Sequence, residues 1–152
     1  MKVSLQETVG RNYADFWNTQ KRYRVCKGSR GSKKSKTTAL NMIHRLFQYP
    51  QSNGLCVRRY SNTLRDSVFS DLKWAIHRLG LDGYFDCTVS PMQIIRRSTG
   101  QKILFRGLDD GLKITSISVD YGVLCFVWIE EAYEITLSLI HISEPTRHLR
   151  IS

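Results

Sequence analysis

The segment from Tyr23 to Phe47 restricts the possible folds more than any other part of the chain. Tyr23-Arg24-Val25-Cys26 reads as a short strand that runs into Gly28-Ser29-Arg30-Gly31-Ser32-Lys33-Lys34-Ser35. From Thr37 onward Ala39, Met42, Ile43, Leu46 and Phe47 recur at helical spacing. A strand joined to a helix by a small-residue loop must bury one face of each, and the chain then returns through another strand. Pro50 with Ser52-Asn53-Gly54 stops the helix, and Leu55-Cys56-Val57-Arg58-Arg59-Tyr60 supplies the returning strand. A second helix is predicted next, with Thr63 and Asp66 as a capping box and Gly80 at its end. Leu64, Val68, Leu72, Ala75, Ile76 and Leu79 mark its buried face. After a turn at Pro91, Ile94-Ile95-Arg96 and Lys102-Ile103-Leu104-Phe105 flank Ser98-Thr99-Gly100-Gln101, a hairpin signature. Gly122 to Ile129 is almost wholly apolar, as expected of a parallel strand covered on both faces. The order predicts an α/β domain: a mainly parallel sheet flanked by helices, with one antiparallel hairpin excursion.

The loop from Gly28 to Ser35 has the parts of a phosphate-binding loop. Backbone N–H groups and the positive end of a helix hold a phosphate, a lysine reaches its outer oxygens, and a hydroxyl ligates Mg²⁺. Gly28 opens the loop, Lys34 is the phosphate lysine and Ser35 the magnesium ligand. The pattern departs at Lys33, where glycine is usual; at a positive φ a lysine there costs about 1 kcal/mol. A solvated basic turn also fits these residues.

Chemistry on such a phosphate needs carboxylates at the end of a neighbouring strand, one for the metal and one for the attacking water. Glu130 and Glu131, directly after the apolar run to Ile129, supply that arrangement, and two glutamates that simply end a strand in solvent fit the pair equally well by itself. Two half-motifs in the right order, each after an apolar run, rarely coincide by chance.

Composition narrows the class. The 152 residues give room for one domain with a real core, and 23 Lys and Arg against 13 Asp and Glu leave a charge of +10. That excess favours a polyanionic partner. No apolar run is long enough for a membrane span, and the N-terminus lacks the apolar region of a secretory signal. Cys26, Cys56, Cys87 and Cys125 lie far apart in apolar runs, so they read as small buried hydrophobes in a reducing cytosol rather than a disulfide or metal framework.

Four ordered segments resemble phage terminase large subunits. They are Lys27 to Leu40, similar to the Walker A region of that family; Val57 to Phe69, its second strand and helix; Ile103 to Asp110; and Trp128 to Ala132, its Walker B end. The match runs from about Tyr13 to Thr136 and implies a phosphate-loop NTPase core that is incomplete at its C-terminus. The resemblance implies ATP and Mg²⁺ as cofactors, held by Gly28, Ser29, Arg30, Gly31, Ser32, Lys33, Lys34 and Ser35. Ser35 and Glu130 are the implied metal residues, Glu131 the base that orients water, and Arg30 a sensor of the outer phosphate, where a plain surface arginine is the alternative. Tyr13, Phe16 and Trp17 suit either stacking on adenine or core packing. Arg58 and Arg59 suit either DNA phosphates or a solvated loop. The implied partners are double-stranded DNA, a small terminase subunit and the portal protein of a procapsid, with a homo-oligomeric ring in the host cell cytoplasm and no membrane.

Residues 137–152 resemble no part of that family and look like a translated sequencing adapter. The expected organisation is therefore a partial ATPase domain over 1–136 and a non-native tail over 137–152, whose His141 and His148 carry no ligand role. Two other readings compete with a packaging motor: a helicase-like phosphate-loop NTPase, and a basic nucleic-acid-binding module without catalysis, which would gain nothing from Glu130 and Glu131.

Overall fold

The computed structural model describes residues 4–29, 31–109 and 117–135. Expectations for Arg30 and for residues 137–152 lie outside them. Two short helices, α1 (Leu5–Val9) and α2 (Ala14–Asn18), precede the main unit. α3 spans Lys34–Gln48 and buries Ala39, Leu40, Met42, Ile43 and Leu46, each Leu, Ile or Met contributing about 1.5–3 kcal/mol of transfer free energy. Five strands follow in one sheet: β1 (Ser52–Arg58), β2 (Phe85–Val89), β3 (Met92–Arg96), β4 (Lys102–Gly107) and β5 (Val123–Ile129). Between β1 and β2 lies α4 (Ser70–Arg78).

The sheet order is β2-β3-β4-β1-β5. β1 pairs in parallel with β4 and β5, whereas β2–β3 and β3–β4 are antiparallel. Four strands therefore point one way and β3 alone runs back, which is the mainly parallel sheet with a hairpin excursion that the sequence predicts. A core of Leu40, Ile43, Leu46, Val68, Phe69, Leu72, Ile94, Ile103 and Trp128, among others, packs α3 and α4 on one face. Leu55, Val57, Leu104 and Leu108 form a smaller cluster with Ile117, Val119 and Ile135. No described helix is long and apolar enough to cross a membrane.

Two buried amides fasten the sheet. The Asn53 carbonyl oxygen accepts from Lys102 N at 2.7 Å while its amide donates to Tyr121 O at 2.6 Å, tying β1 to the lead-ins of both parallel neighbours. Gln101, 1% exposed, donates to Leu46 O, Tyr49 O and Ser52 O at 3.0, 2.9 and 2.8 Å. These carbonyls lie at the end of α3 and the turn into β1, so one side chain satisfies groups that helix termination leaves open. Gly122, at φ +70, passes so close that an added Cβ would meet Gln51 O at 2.1 Å.

Four local expectations are corrected. Tyr23–Cys26 is not a strand, having no ladder partner among the described residues, and Val25 is 92% exposed. Among the described residues β5 lies at the sheet edge and is not covered on both faces: Trp128 is buried while Val123, Val127 and Ile129 are exposed. The second helix opens irregularly, through a 3₁₀ turn at Ser61–Thr63 and a π-helical turn at Arg65–Phe69. Its opening is capped not by Thr63 and Asp66 but by Asp109, whose carboxylate accepts from Ser61 N and Ser61 Oγ at 3.2 and 3.1 Å. Among the cysteines only Cys56 is buried; Cys26 is half-buried and Cys87 and Cys125 are exposed. All four are free thiols.

Gln101→Leu should keep the volume but remove the amide that Leu46 O, Tyr49 O and Ser52 O share, while Tyr49 O keeps Ser52 N and Oγ and Leu46 O keeps Arg96. The expected cost is about 2–3 kcal/mol, read as a lower urea midpoint at unchanged slope. An unmoved midpoint would show that water replaces the amide without loss.

Candidate functional site

The glycine-lysine loop lies at the carboxyl ends of the parallel strands, where open α/β sheets place ligands. α3 begins at Lys34 with Lys33 as its cap residue, and no side chain caps its first turn. The first N–H groups of a helix of this length are therefore open to an anion. Lys33 has φ +61 and ψ +20, the left-handed conformation that its place before the lysine requires. Gly31, also at positive φ (+79), makes the preceding reversal.

Within the loop the Lys34 ammonium donates to Gly28 O at 2.7 Å and reaches Ser29 O at 3.4 Å. A Cβ on Gly28 would come to 3.0 Å from Ser32 Oγ, so glycine keeps this turn open. Ser32 Oγ is itself buried without a hydrogen-bond partner.

The two half-motifs meet. Ser35 Oγ donates to Glu130 Oε1 at 2.8 Å across 95 positions of sequence. The contact follows from the parallel ladder. Val57 pairs with Ile129, and the Glu130 N–H donates to Val57 O at 2.9 Å, which carries the carboxylate one step beyond the strand end to the loop. Burial pushes the Glu130 carboxyl above its ordinary range; the Ser35 hydroxyl opposes this, Glu131 and Asp71 add to it, and Arg58 acts against it. Glu131 takes the left-handed conformation, φ +53 and ψ +48, at the entry to a 3₁₀ turn over Ala132–Glu134.

A hydroxyl and a carboxylate oxygen at hydrogen-bond distance form a pair of hard donors. Mg²⁺ suits such a pair, because it takes few protein ligands and keeps waters or phosphate oxygens in its other positions. The open helix end, the bare Gly28 turn and the Lys34 ammonium likewise suit a phosphate chain.

Neighbouring charges missed by sequence reasoning also gather here. Arg58 ends β1 beside Glu130, and its buried Nε has no partner. A charged residue at the carboxyl end of a central strand was the available signal. Asp71 on α4 pairs with Lys36 at 2.8 Å, and the Lys36 ammonium sits 4.4 Å from the centre of the Trp74 ring. Nothing in the sequence places α4 against the loop. Tyr13 and Trp17 lie partly buried against the core, the Trp17 ring is tilted at 5.4 Å from the His44 ring, and the Arg24 guanidinium lies 5.8 Å from the Phe16 ring. Arg59 donates to Glu134 O at 3.2 Å. A separate cavity of about 600 Å³, lined by residues including Tyr49, Val123, Cys125 and Phe126, lies at the other end of the sheet and holds none of these groups.

The sequence is similar to that of known phage proteins. The phage terminase large subunit family profile matches residues 20–150, running past Thr136 into the segment read as non-native. The chain is 36% identical over 137 residues to the terminase large subunit of Bacillus phage SPP1, covering 88% of this chain and 32% of that protein. It is 30% identical over 128 residues to the PBSX phage terminase large subunit of Bacillus subtilis (strain 168), covering 84% of this chain and 28% of that protein. The chain thus spans about a third of the length of these relatives. On the profile match and on both relatives, it belongs to the phage terminase large subunit family.

Proposed function

We propose that this chain is the ATP-binding and ATP-hydrolysing part of a motor that drives double-stranded DNA into a viral procapsid. The observation that carries the reading is the 2.8 Å contact between Ser35 and Glu130, which joins a helix-capping loop to the acidic end of a parallel strand. A nucleic-acid clamp without catalysis has no use for a buried carboxylate at that point, since it repels phosphate.

In this reading the loop from Gly28 to Ser35 holds the phosphates through its N–H groups. Lys34 leaves Gly28 O and Ser29 O for phosphate oxygens, gaining charge-assisted bonds in exchange for neutral ones. Ser35 and Glu130 take Mg²⁺, which when bound offsets the charge on the phosphate chain. Glu131 would orient the attacking water and take its proton, and Arg30 is the proposed sensor of charge on the outer phosphate. The +10 charge suits a DNA backbone. Partners proposed from family membership are the small terminase subunit, the portal and other copies in a ring, in the cytoplasm of the host cell.

Lys34→Ala should abolish binding of a fluorescent Mg·ATP analogue while leaving the circular dichroism spectrum intact. Unchanged affinity would remove the nucleotide assignment. In a chain with measurable turnover, Glu131→Gln should bind ATP normally and lose about 10²–10⁴-fold in kcat, the usual worth of a general base. Near-normal turnover would transfer the role to another group.

Glu130 also makes a prediction about pH. Its folded carboxyl titrates above the unfolded value, so the native state binds the extra proton between those two values. Stability contributed at this site therefore falls as pH rises through that window, and the ionised form is the unfavourable one at neutral pH. Glu130→Gln retains an acceptor for Ser35 and should raise Tm at pH 7 without Mg²⁺, but leave it unchanged well below the carboxylate range. A lower Tm at pH 7 would mean that the charge stabilises the site.

A further inference from the structure

The loop makes only one weak internal backbone bond among its described residues before α3 begins, Ser32 N to Ser29 O at 3.3 Å. It also holds a lysine in a conformation that glycine occupies freely. Inside the loop the Lys34 ammonium also reaches Gly28 O and Ser29 O, contacts it would give up to a phosphate, so lasting support has to come from outside. Two neighbouring loop residues are tied to the N-terminal segment. The Tyr13 hydroxyl donates to Ser32 O, and the Lys33 ammonium donates to Thr8 O at 3.2 Å. That segment is anchored apolarly: Val9 is buried in the main core, with Tyr13 and Trp17 packed against it. Both bonds are part-buried, but the Lys33 one comes from a long, exposed side chain that is costly to hold in place. The Tyr13 bond is partly buried and comes from a ring that the core already holds.

We infer that Tyr13 is a positioning residue for the phosphate-binding loop, setting the direction in which the Lys33 N–H points. The reason is geometric. The Ser32–Lys33 peptide is planar, so its C=O and N–H point to opposite sides. Holding Ser32 O on the Tyr13 phenol turns the Lys33 N–H away from Tyr13, whichever conformation the flanking bonds would otherwise favour. The left-handed Lys33 is then kept by its surroundings despite its intrinsic cost. Tyr13 touches no nucleotide in this scheme; it acts on the loop that does. The inference rests on the proposed nucleotide site, and it gives the aromatic cluster a task different from stacking on a base.

Tyr13→Phe keeps the packed ring and removes only the donor. In the full 152-residue chain, two measurements test the idea. First, hydrogen exchange of the peptide spanning residues 31–36 in the absence of nucleotide should speed up by about five- to tenfold, the worth of one hydrogen bond. Second, affinity for Mg·ATP and for magnesium pyrophosphate should fall by a similar factor, while affinity for adenosine stays as in the unsubstituted chain. Unchanged exchange in 31–36 overturns the inference, whatever nucleotide does. A fall in adenosine affinity equal to that for Mg·ATP overturns it too, because the hydroxyl would then serve the base. If the unsubstituted chain binds neither Mg·ATP nor pyrophosphate, the nucleotide reading fails and this role fails with it. Faster exchange would then still record the Tyr13 tie as a structural bond.

Discussion

A carboxylate at position 130 reaches a hydroxyl at position 35 only because β5 runs parallel to β1 and ends level with the loop. Parallel strands have no hairpin to align them, so their register must come from side chains and from the backbone at their ends. Asn53 supplies much of it here. Buried at the start of β1, it accepts from the lead-in of β4 and donates to the lead-in of β5, so both neighbours are indexed to one residue. Gly122 completes the arrangement, since any side chain there would collide with Gln51 O. A shift of β5 by one position would exchange Trp128 with an exposed neighbour and carry Glu130 away from Ser35.

Once Glu130 is delivered, electrostatics make the site unfavourable by itself. Its carboxyl is mostly buried, with Glu131 and Asp71 nearby, and these act together against ionisation. Only the Ser35 hydroxyl and Arg58 favour the charged form. A group placed purely for stability would pair that charge fully, yet Arg58 leaves its Nε without a partner and Asp71 is taken by Lys36. The chain's own groups thus meet the Glu130 charge only in part. Stability sacrificed at one carboxylate is recovered by burial elsewhere, as is common where a site must remain open to a ligand.

How much of this was legible depends on whether the determining contacts are local. α3 was legible because Ala39, Met42, Ile43 and Leu46 face one way, and all four are buried. The β3–β4 hairpin was legible because its turn residues lie between its strands. The meeting of Ser35 with Glu130 was legible because loop and strand end each carry a chemical pattern in the order that a parallel sheet brings together. The failures are non-local. Tyr23–Cys26 has the composition of a strand, but a strand exists only with a partner, and none lies beside it in the described sheet. β5 has the composition of a central strand, but its position at the edge depends on sheet order, which no window of sequence contains. Asp109 caps a turn 48 positions away, where the local pair Thr63 and Asp66 looked sufficient. Gln101 looked like part of a turn and is among the most buried polar groups, because its role lies with α3 and not with the hairpin.

The two non-glycine residues at positive φ among those described are Lys33 and Glu131, and they flank the Ser35–Glu130 contact on its two sides. Each left-handed residue costs about 1 kcal/mol relative to ordinary backbone, a cost that the side-chain bond of Glu131 to Tyr133 offsets only in part. Chance would scatter such residues over turns, where Gly10, Gly80 and Gly100 do take positive φ here. Their position instead follows from what each must do. The backbone at Lys33 has to reverse so that α3 starts with its N–H groups toward the loop. At Glu131 it has to leave the strand direction as soon as Glu130 has been placed, so that two successive carboxylates do not alternate to opposite faces of the sheet as strand residues would. A strand that simply continued would send Glu131 away from Glu130. The strain at 131 is therefore the local cost of having two adjacent acids at one strand end, and the strain at 33 is the cost of meeting them with a helix.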